Sequence, residues 1–435
     1  MSSSAFRLNL AINVGPKMPD DIETILSGPW PILIDYCCKH DYPTDSSLKR
    51  MYSALEHHDR VRGIYLYGPY RWFDNFFKAT NCPFPALETL YLCSKRDDEM
   101  EIPDTFLGGP DGSNLRLRSL TLLHVSLAST TGLLSSATSL TDLSLELNYS
   151  FSPSAGISLL ASLQGMHCLR NLELVAFSLL GSPSQPVVPK EVVPLSKLTK
   201  FYYKGSSIFL YALVAGISAP SLQKIDIEFR GAIQSPTAVH LPRFIDEIRK
   251  QYQAVIIYIN ESLWSRMFSL TLESDFSKHG LTNSEQLCLE SGSDSKLFPE
   301  SMMHMSGALS AKLSTVEVLR VNFGTSTPAD YVWEDDLPWR RFYRHLSSVK
   351  SLQITYSMAR TLYQNHGELD DLFVLPALEE IHFFQPGIDE SERGTILAAF
   401  QPFVNAREQA GRPVNVFFGR PKFYGSFKSN RQGVV

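Results

Sequence analysis

One apolar pattern, Leu-x-x-Leu-x-Leu with Leu read as any bulky apolar residue, occurs eleven times in this chain and constrains its fold more than any other feature. Leu87/Leu90/Leu92, Leu117/Leu120/Leu122, Leu140/Leu143/Leu145 and Leu169/Leu172/Leu174 are nearly ideal copies. Val61/Ile64/Leu66, Leu198/Phe201/Tyr203, Leu222/Ile225/Ile227, Val316/Leu319/Val321, Val349/Leu352/Ile354 and Leu378/Ile381/Phe383 are degenerate ones, and Met267/Leu270/Leu272 is the weakest. The last two apolar positions alternate, as on a half-buried strand. No single unit of this size can bury its own apolar face, so the units must stack.

The first apolar positions are separated by 26, 30, 23, 29, 29, 24, 45, 49, 33 and 29 residues. Most steps lie near the roughly 20–29 residues of a leucine-rich repeat. The two long steps hold extra material, including Gly231 to Ile259 and Thr282 to Leu297, and each has room for a hidden strand, at Ala254 to Ile259 and around Leu287 and Leu289. Leu48/Met51/Tyr52/Leu55, Leu241/Phe244/Ile245/Ile248 and Ile396/Leu397/Phe400/Phe403/Val404 follow helical spacing. The expectation is an α/β fold: an irregular leucine-rich-repeat solenoid with a curved parallel sheet inside and helices outside. The usual asparagine of such repeats is found only once, as Asn148, so the turns after the strands are expected to differ from repeat to repeat. Residues 1–60, with candidate strands at Leu10 to Val14 and Pro31 to Asp35, read as an N-terminal capping region. Residues 61–420 read as the repeat array, and 421–435, with few apolar residues, as a flexible tail.

The chain has 435 residues, 44% hydrophobic and 20% charged, which is ordinary for folded protein. A net charge of −5 gives no sign of a general nucleic-acid binder. The longest apolar run, Ile208 to Ile217, is about half the roughly 20 residues that span a bilayer, and the N-terminus lacks the form of a secretory signal. Cys37, Cys38, Cys82, Cys93, Cys168 and Cys288 form no Cys-x-x-Cys pair and several sit in apolar segments, which suits reduced thiols and a cytoplasmic or nuclear setting.

Three groups of phrases carry a resemblance: Pro29-Trp30-Pro31-Ile32-Leu33-Ile34, then Leu55 to Ile64, then the two Pro-Ala-Leu-Glu entries Phe84 to Leu90 and Leu375 to Ile381. Together the chain resembles fungal F-box proteins with C-terminal leucine-rich repeats. The resemblance implies a substrate-recognition subunit of an F-box-type ubiquitin ligase. In that family the F-box docks on a Skp-type adaptor. Here only Met18 to Leu26 is similar to an F-box opening, and it runs into Gly28-Pro29-Trp30-Pro31, so the box itself is expected to be absent. A Skp-type adaptor is then a partner only if an F-box exists upstream.

No motif of enzymatic chemistry is present: no phosphate loop, no Gly-x-Gly-x-x-Gly, no His-Glu-x-x-His and no Gly-x-Ser-x-Gly. His57-His58-Asp59 reads as a surface helix end rather than a metal site, since adjacent histidines diverge on a helix. Cys37-Cys38 reads as structural, its two side chains alternating across a strand. Trp339, Phe342 and Tyr343 share a helical face and read as core. No catalytic residue, cofactor or metal is expected. The candidate protein-binding residues flank the apolar positions and so fall on the concave sheet face: Tyr65, Tyr67, Tyr91, Asp142, Glu146, Glu173, Lys200, Tyr202, Lys204 and Lys224. That face changes from tyrosine-rich to acidic to basic. A non-enzymatic protein-binding module is the expected function, with a structural scaffold as the alternative and an unrecognised enzyme behind it. Neither nucleic acid nor membrane is an expected partner.

Overall fold

The computed structural model describes residues 10–13, 28–37, 45–95, 100–111, 116–147, 155–176, 189, 191–230, 237–247, 252–261, 266–273, 286–293, 298–323, 342–355, 375–384 and 390–418. They form a mixed α/β structure with a large parallel sheet and helices, in two compact units, Met1–Leu222 and Gln223–Val435.

In the first unit eight strands pair in parallel and in chain order: β1 (Leu10–Asn13), β2 (Ile32–Cys37), β3 (Val61–Gly68), β4 (Thr89–Ser94), β5 (Ser119–Val125), β6 (Asp142–Leu147), β7 (Asn171–Ala176) and β9 (Lys200–Gly205). A parallel neighbour must be reached by a crossover. Here these include α1 (Asp45–Leu55), α2 (Tyr70–Ala79), a short 3-10 helix (Phe106–Asp111), α3 (Leu127–Ser136), α4 (Ala155–Leu163) and α5 (Ser207–Gly216). Two-residue strands β8 (Val193–Pro194) and β10 (Ile217–Ser218) pair beside α4 and α5. Register stacks the repeat leucines into continuous rows, Ile64–Leu90–Leu120–Leu143–Leu172–Phe201 and Leu66–Leu92–Leu122–Leu145–Leu174–Tyr203, all essentially without solvent exposure. The helices cover this face. Trp72 of α2 meets Tyr36 of β2 with ring centroids 4.5 Å apart, and Phe209 of α5 stacks on Tyr203 at 6.2 Å. The close approach of α4 and α5 requires glycine at Gly216, where a Cβ would lie 2.5 Å from a methyl of Leu160 and 2.7 Å from Pro189.

A further apolar position, three residues before the first one of the repeat, explains how each strand is entered. Phe84, Ala137, Met166, Leu195 and Ala219 are buried, and their carbonyls accept the N–H of Leu87, Leu140, Leu169, Leu198 and Leu222 in tight turns. One rung later a single carbonyl receives two consecutive N–H groups: Glu88 from Arg118 and Ser119, Arg118 from Thr141 and Asp142, Thr141 from Arg170 and Asn171, Arg170 from Thr199 and Lys200. Backbone thus satisfies backbone in the same way on each of these rungs. The strand entries are uniform even though Asn148, the lone repeat asparagine, lies outside the described residues.

In the second unit the same entry turns recur at Leu313/Val316, Leu346/Val349 and Leu375/Leu378. The strand order is β11 (Lys224–Arg230), β14 (Gln286–Ser293), β13 (Arg266–Glu273), β12 (Ala254–Glu261), β15 (Val318–Phe323), β16 (Ser351–Ile354), β17 (Glu380–Phe383) and β18 (Asn415–Phe418). The strands expected within the two long steps are present as β12 and β14. Met267/Leu270/Leu272 is not a further copy of the parallel repeat. It lies in β13, which is antiparallel to both of its neighbours, because a hairpin run of three strands lays β12, β13 and β14 down in reverse spatial order. α6 (Thr237–Asp246) precedes this meander, α7 (Phe298–Ala308) and α8 (Ser310–Leu313) follow it, and α6 packs on α7 through a buried stripe that includes Leu241, Phe244 and Ile245. Phe342 and Tyr343 are buried as expected, whereas Trp339 lies outside the described residues. The last helix, α9 (Glu390–Gln409), buries Ile396 but leaves Leu397 40% exposed, so the apolar stripe expected there is narrower than its spacing suggests. Arg407 ties α9 to the last entry turn. Its guanidinium donates to the carbonyls of Leu375 and Leu378 at 3.3 and 2.7 Å, and burial lowers its pKa, aided by nearby Arg412.

Candidate functional site

The strand residues between the buried leucines share the opposite face of the first unit's sheet, on which no helix lies among the described residues. Register orders them into three rows. One runs Asp35–Tyr65–Tyr91–Thr121–Ser144–Glu173–Tyr202. A second, two residues earlier, runs Gly63–Thr89–Ser119–Asp142–Asn171–Lys200. The third, two residues later, runs Tyr67–Cys93–Leu123–Glu146–Val175–Lys204. Nine of the ten expected binding residues, Tyr65, Tyr67, Tyr91, Asp142, Glu146, Glu173, Lys200, Tyr202 and Lys204, therefore stand on one face. Lys224 opens β11 in the second unit. Glu173 and Lys200 are exposed, and the other seven are half-buried.

Individual residues are not equivalent. Tyr65 and Tyr91 stack with centroids 6.3 Å apart and planes 24° from parallel, an arrangement that fixes both rings on adjacent strands. Asp142 is already satisfied. One carboxylate oxygen accepts the Thr141 hydroxyl at 2.6 Å and the other accepts the Asn171 side-chain amide. Its role is to hold the rung together rather than to present charge. Glu146 lies 3.6 Å from the imidazole of His124.

His124 was not among the expected site residues. By simple alternation it would point into the core. It instead adopts a left-handed backbone, φ 61°, in a bulge between Leu123 and Val125, so that Val125 takes the core position opposite Leu147. A non-glycine residue held in this conformation costs on the order of 1–3 kcal/mol. The segment at Met100 braces the bulge. Its N–H donates to the His124 carbonyl at 2.9 Å, and its carbonyl accepts the Ser126 N–H at 3.1 Å. The only sequence signal was the broken alternation of Leu122-Leu123-His124-Val125.

The other expectations concern absent chemistry. His57 and His58 lie half-buried in the turn after α1, with the His58 ring edge-on to Phe84 at 5.9 Å. No group of three or more potential metal ligands occurs among the described residues. Cys37 ends β2, whereas Cys38 lies outside the described residues. No helix among the described residues is long and apolar enough to cross a membrane. No family profile matches the chain, and no curated protein matches its sequence.

Proposed function

We propose that this chain is a protein-recognition module, an irregular leucine-rich-repeat solenoid that binds another protein and performs no chemistry of its own. Within that class, its Pro-Ala-Leu-Glu entries favour the substrate-recognition subunit of an F-box-type ubiquitin ligase, or a box-less relative, working in the cytoplasm or nucleus. The observation that carries the reading is the helix-free face of the first unit: four tyrosines and a graded set of charges, fixed in register on a parallel sheet. Tyrosine is large, rigid and amphipathic, and so anchors protein interfaces well. The stacked leucine rows beneath give it a support that does not need to rearrange on binding.

The test is retention of partners from a lysate by the immobilised full chain, compared with a variant in which Tyr65, Tyr67, Tyr91 and Tyr202 are changed together to serine. A partner retained by the parent and lost by the variant, with the melting temperature of the variant within a few degrees, is expected. Identical retention by both proteins overturns the reading. Binding to a purified Skp-type adaptor separates the ligase subunit from the box-less relative.

A further inference from the structure

We propose that the edge of the first unit at which β5, β6, β7 and β9 begin docks an acidic segment of a partner protein, a short stretch rich in aspartate and glutamate. The proposal goes beyond the recognition reading above and does not rest on it. This edge adjoins the tyrosine-bearing face and shares only Lys200 with its candidate residues.

The argument starts from one repeat position, the residue after the first apolar one. In the first unit it reads Arg62, Glu88, Arg118, Thr141, Arg170 and Thr199, and each N–H donates to the carbonyl of the residue before it in that series at 2.8 Å. The six residues therefore form one ladder along the edge. In the second unit the same position reads Glu317, Lys350 and Glu379, joined in the same way at 2.8 Å. That ladder neutralises itself. The Lys350 ammonium lies 2.8 Å from the Glu317 carboxylate, and this hydrogen bond, with Glu379 on the other side, raises the lysine pKa. The first unit opens likewise, with Arg62 3.7 Å from Glu88. From β6 onward the acid is missing. Thr141 and Thr199 stand where alternation of charge would place a carboxylate. Their hydroxyls lie against the carbonyls of Arg118 and Arg170 at 3.0 and 3.1 Å and carry no charge. The exposed guanidiniums of Arg118 and Arg170 make no ion pair among the described residues.

Neighbouring positions add charge of the same sign. Arg116 and Lys197 directly precede the first apolar residues Leu117 and Leu198, and Lys200 opens β9. All three are exposed, and none makes an ion pair among the described residues; the Lys197 ammonium contacts the Cys168 sulfur at 3.8 Å. Asp142, the acid that opens β6, already accepts from Thr141 and Asn171. The cations stand on an edge about 14 Å wide, three strand spacings of about 4.8 Å. Like charges held this closely create a positive potential that draws in anions. The width selects among them. An extended chain advances about 3.3 Å per residue, so about four acidic residues span the edge. A nucleic acid fits less well, because Glu146 and Glu173 on the adjoining face repel a phosphate backbone that runs past the edge.

The test is fluorescence anisotropy of the full chain at low salt with a dye-labelled peptide, Gly-Glu-Asp-Glu-Asp-Glu-Gly, beside its amide analogue Gly-Gln-Asn-Gln-Asn-Gln-Gly and an oligothymidylate of equal charge. The acidic peptide is expected to bind saturably, more weakly as salt rises, and about tenfold or more tightly than the amide analogue. Arg118→Glu with Arg170→Glu should weaken it by a similar factor, with the melting temperature within a few degrees because both side chains are exposed. Arg118→Gln with Arg170→Gln should give a smaller loss, so that the effect follows charge. Lys350→Gln, on the self-neutralised ladder, should leave the affinity unchanged. Equal binding of the two peptides, or equal affinity of the parent and the double-glutamate variant, overturns the proposal. Tighter binding of the oligothymidylate than of the peptide assigns the edge to nucleic acid and overturns it too. The four-tyrosine variant should bind the acidic peptide as the parent does, and loss of binding there would move the peptide onto the tyrosine face and overturn the assignment to this edge. Failure of the acidic peptide leaves the recognition reading standing, since that reading is decided by the lysate partner.

Discussion

The central row of polar strand positions in the first unit and the equivalent row in the second differ sharply in exposure, although both units are built on the same buried pattern. In the first unit the central row, Tyr65 to Tyr202, is half-buried or exposed throughout. In the second, register sets Asp226–Cys288–Thr271–Ile256–Arg320–Gln353–His382–Phe417 in the equivalent row, and its middle is buried: Ile256 is 5% exposed, Arg320 1% and Gln353 4%. The Arg320 guanidinium donates twice to the Gln353 side-chain carbonyl, at 2.9 and 2.7 Å, and lies 5.9 Å from the Phe384 ring. Towards β18 the row opens again, with His382 stacked on Phe417 at 4.8 Å. The first unit thus keeps this row open on its described strands, whereas the second spends part of it on internal contacts of β12, β15 and β16. The same sequence position is a candidate contact in one unit and a structural residue in the other.

The largest test of that contrast is Arg320→Ala against Glu173→Ala. Removing the buried guanidinium leaves the Gln353 carbonyl without its charged donor and opens a void, so a loss of about 2–3 kcal/mol is expected by urea unfolding. The exposed glutamate should change stability by less than about 0.5 kcal/mol. Equal costs at the two positions would erase the distinction between the faces.

A smaller effect reads the cores through pH. Burial pushes the phenols of Tyr203 in the first unit and Tyr343 in the second well above the ordinary tyrosine value, in Tyr203 against smaller lowering effects of the Ser206 side chain and the Leu210 backbone. In the unfolded chain both ionise near pH 10. Their protonated forms are thus consistent with full stability below about pH 10, and stability falls above it, by about 1.4 kcal/mol per pH unit for each tyrosine. Urea midpoints between pH 9 and 11 should fall less steeply in Tyr203→Phe and in Tyr343→Phe than in the parent. Parallel slopes in all three proteins would show that neither phenol is buried as described.

The smallest effect concerns the strained bulge. His124→Gly relieves a left-handed conformation while removing the contact with Glu146, so a net gain in stability of up to about 1 kcal/mol is expected. Thermal melting decides it. A clear loss would mean that His124 is held for packing rather than for the surface it shapes.

Much of this was legible beforehand. The Leu-x-x-Leu-x-Leu copies located β3 to β7 and β9, and the flanking residues located nine side chains on one face, because alternation along a strand assigns sides without knowledge of neighbours. The entry turn was less visible, since its apolar position is filled by residues as different as Phe84, Ala219 and Leu346. Helical spacing at Leu241, Phe244 and Ile245 was equally direct, while Leu397 showed that a periodic apolar residue can still face solvent.

The chain by itself determined which side of each strand is core, for the hydrophobic effect acts on local pattern. The direction of β13 belonged to tertiary structure, because alternation reads the same forwards and backwards and only the hairpin path distinguishes them. So did the burial of Arg320 and Gln353, which depends on what packs above a face, and the left-handed bulge at His124, which Met100 braces through hydrogen bonds to His124 and Ser126. Pattern chooses a side; distant backbone decides whether that side is left open.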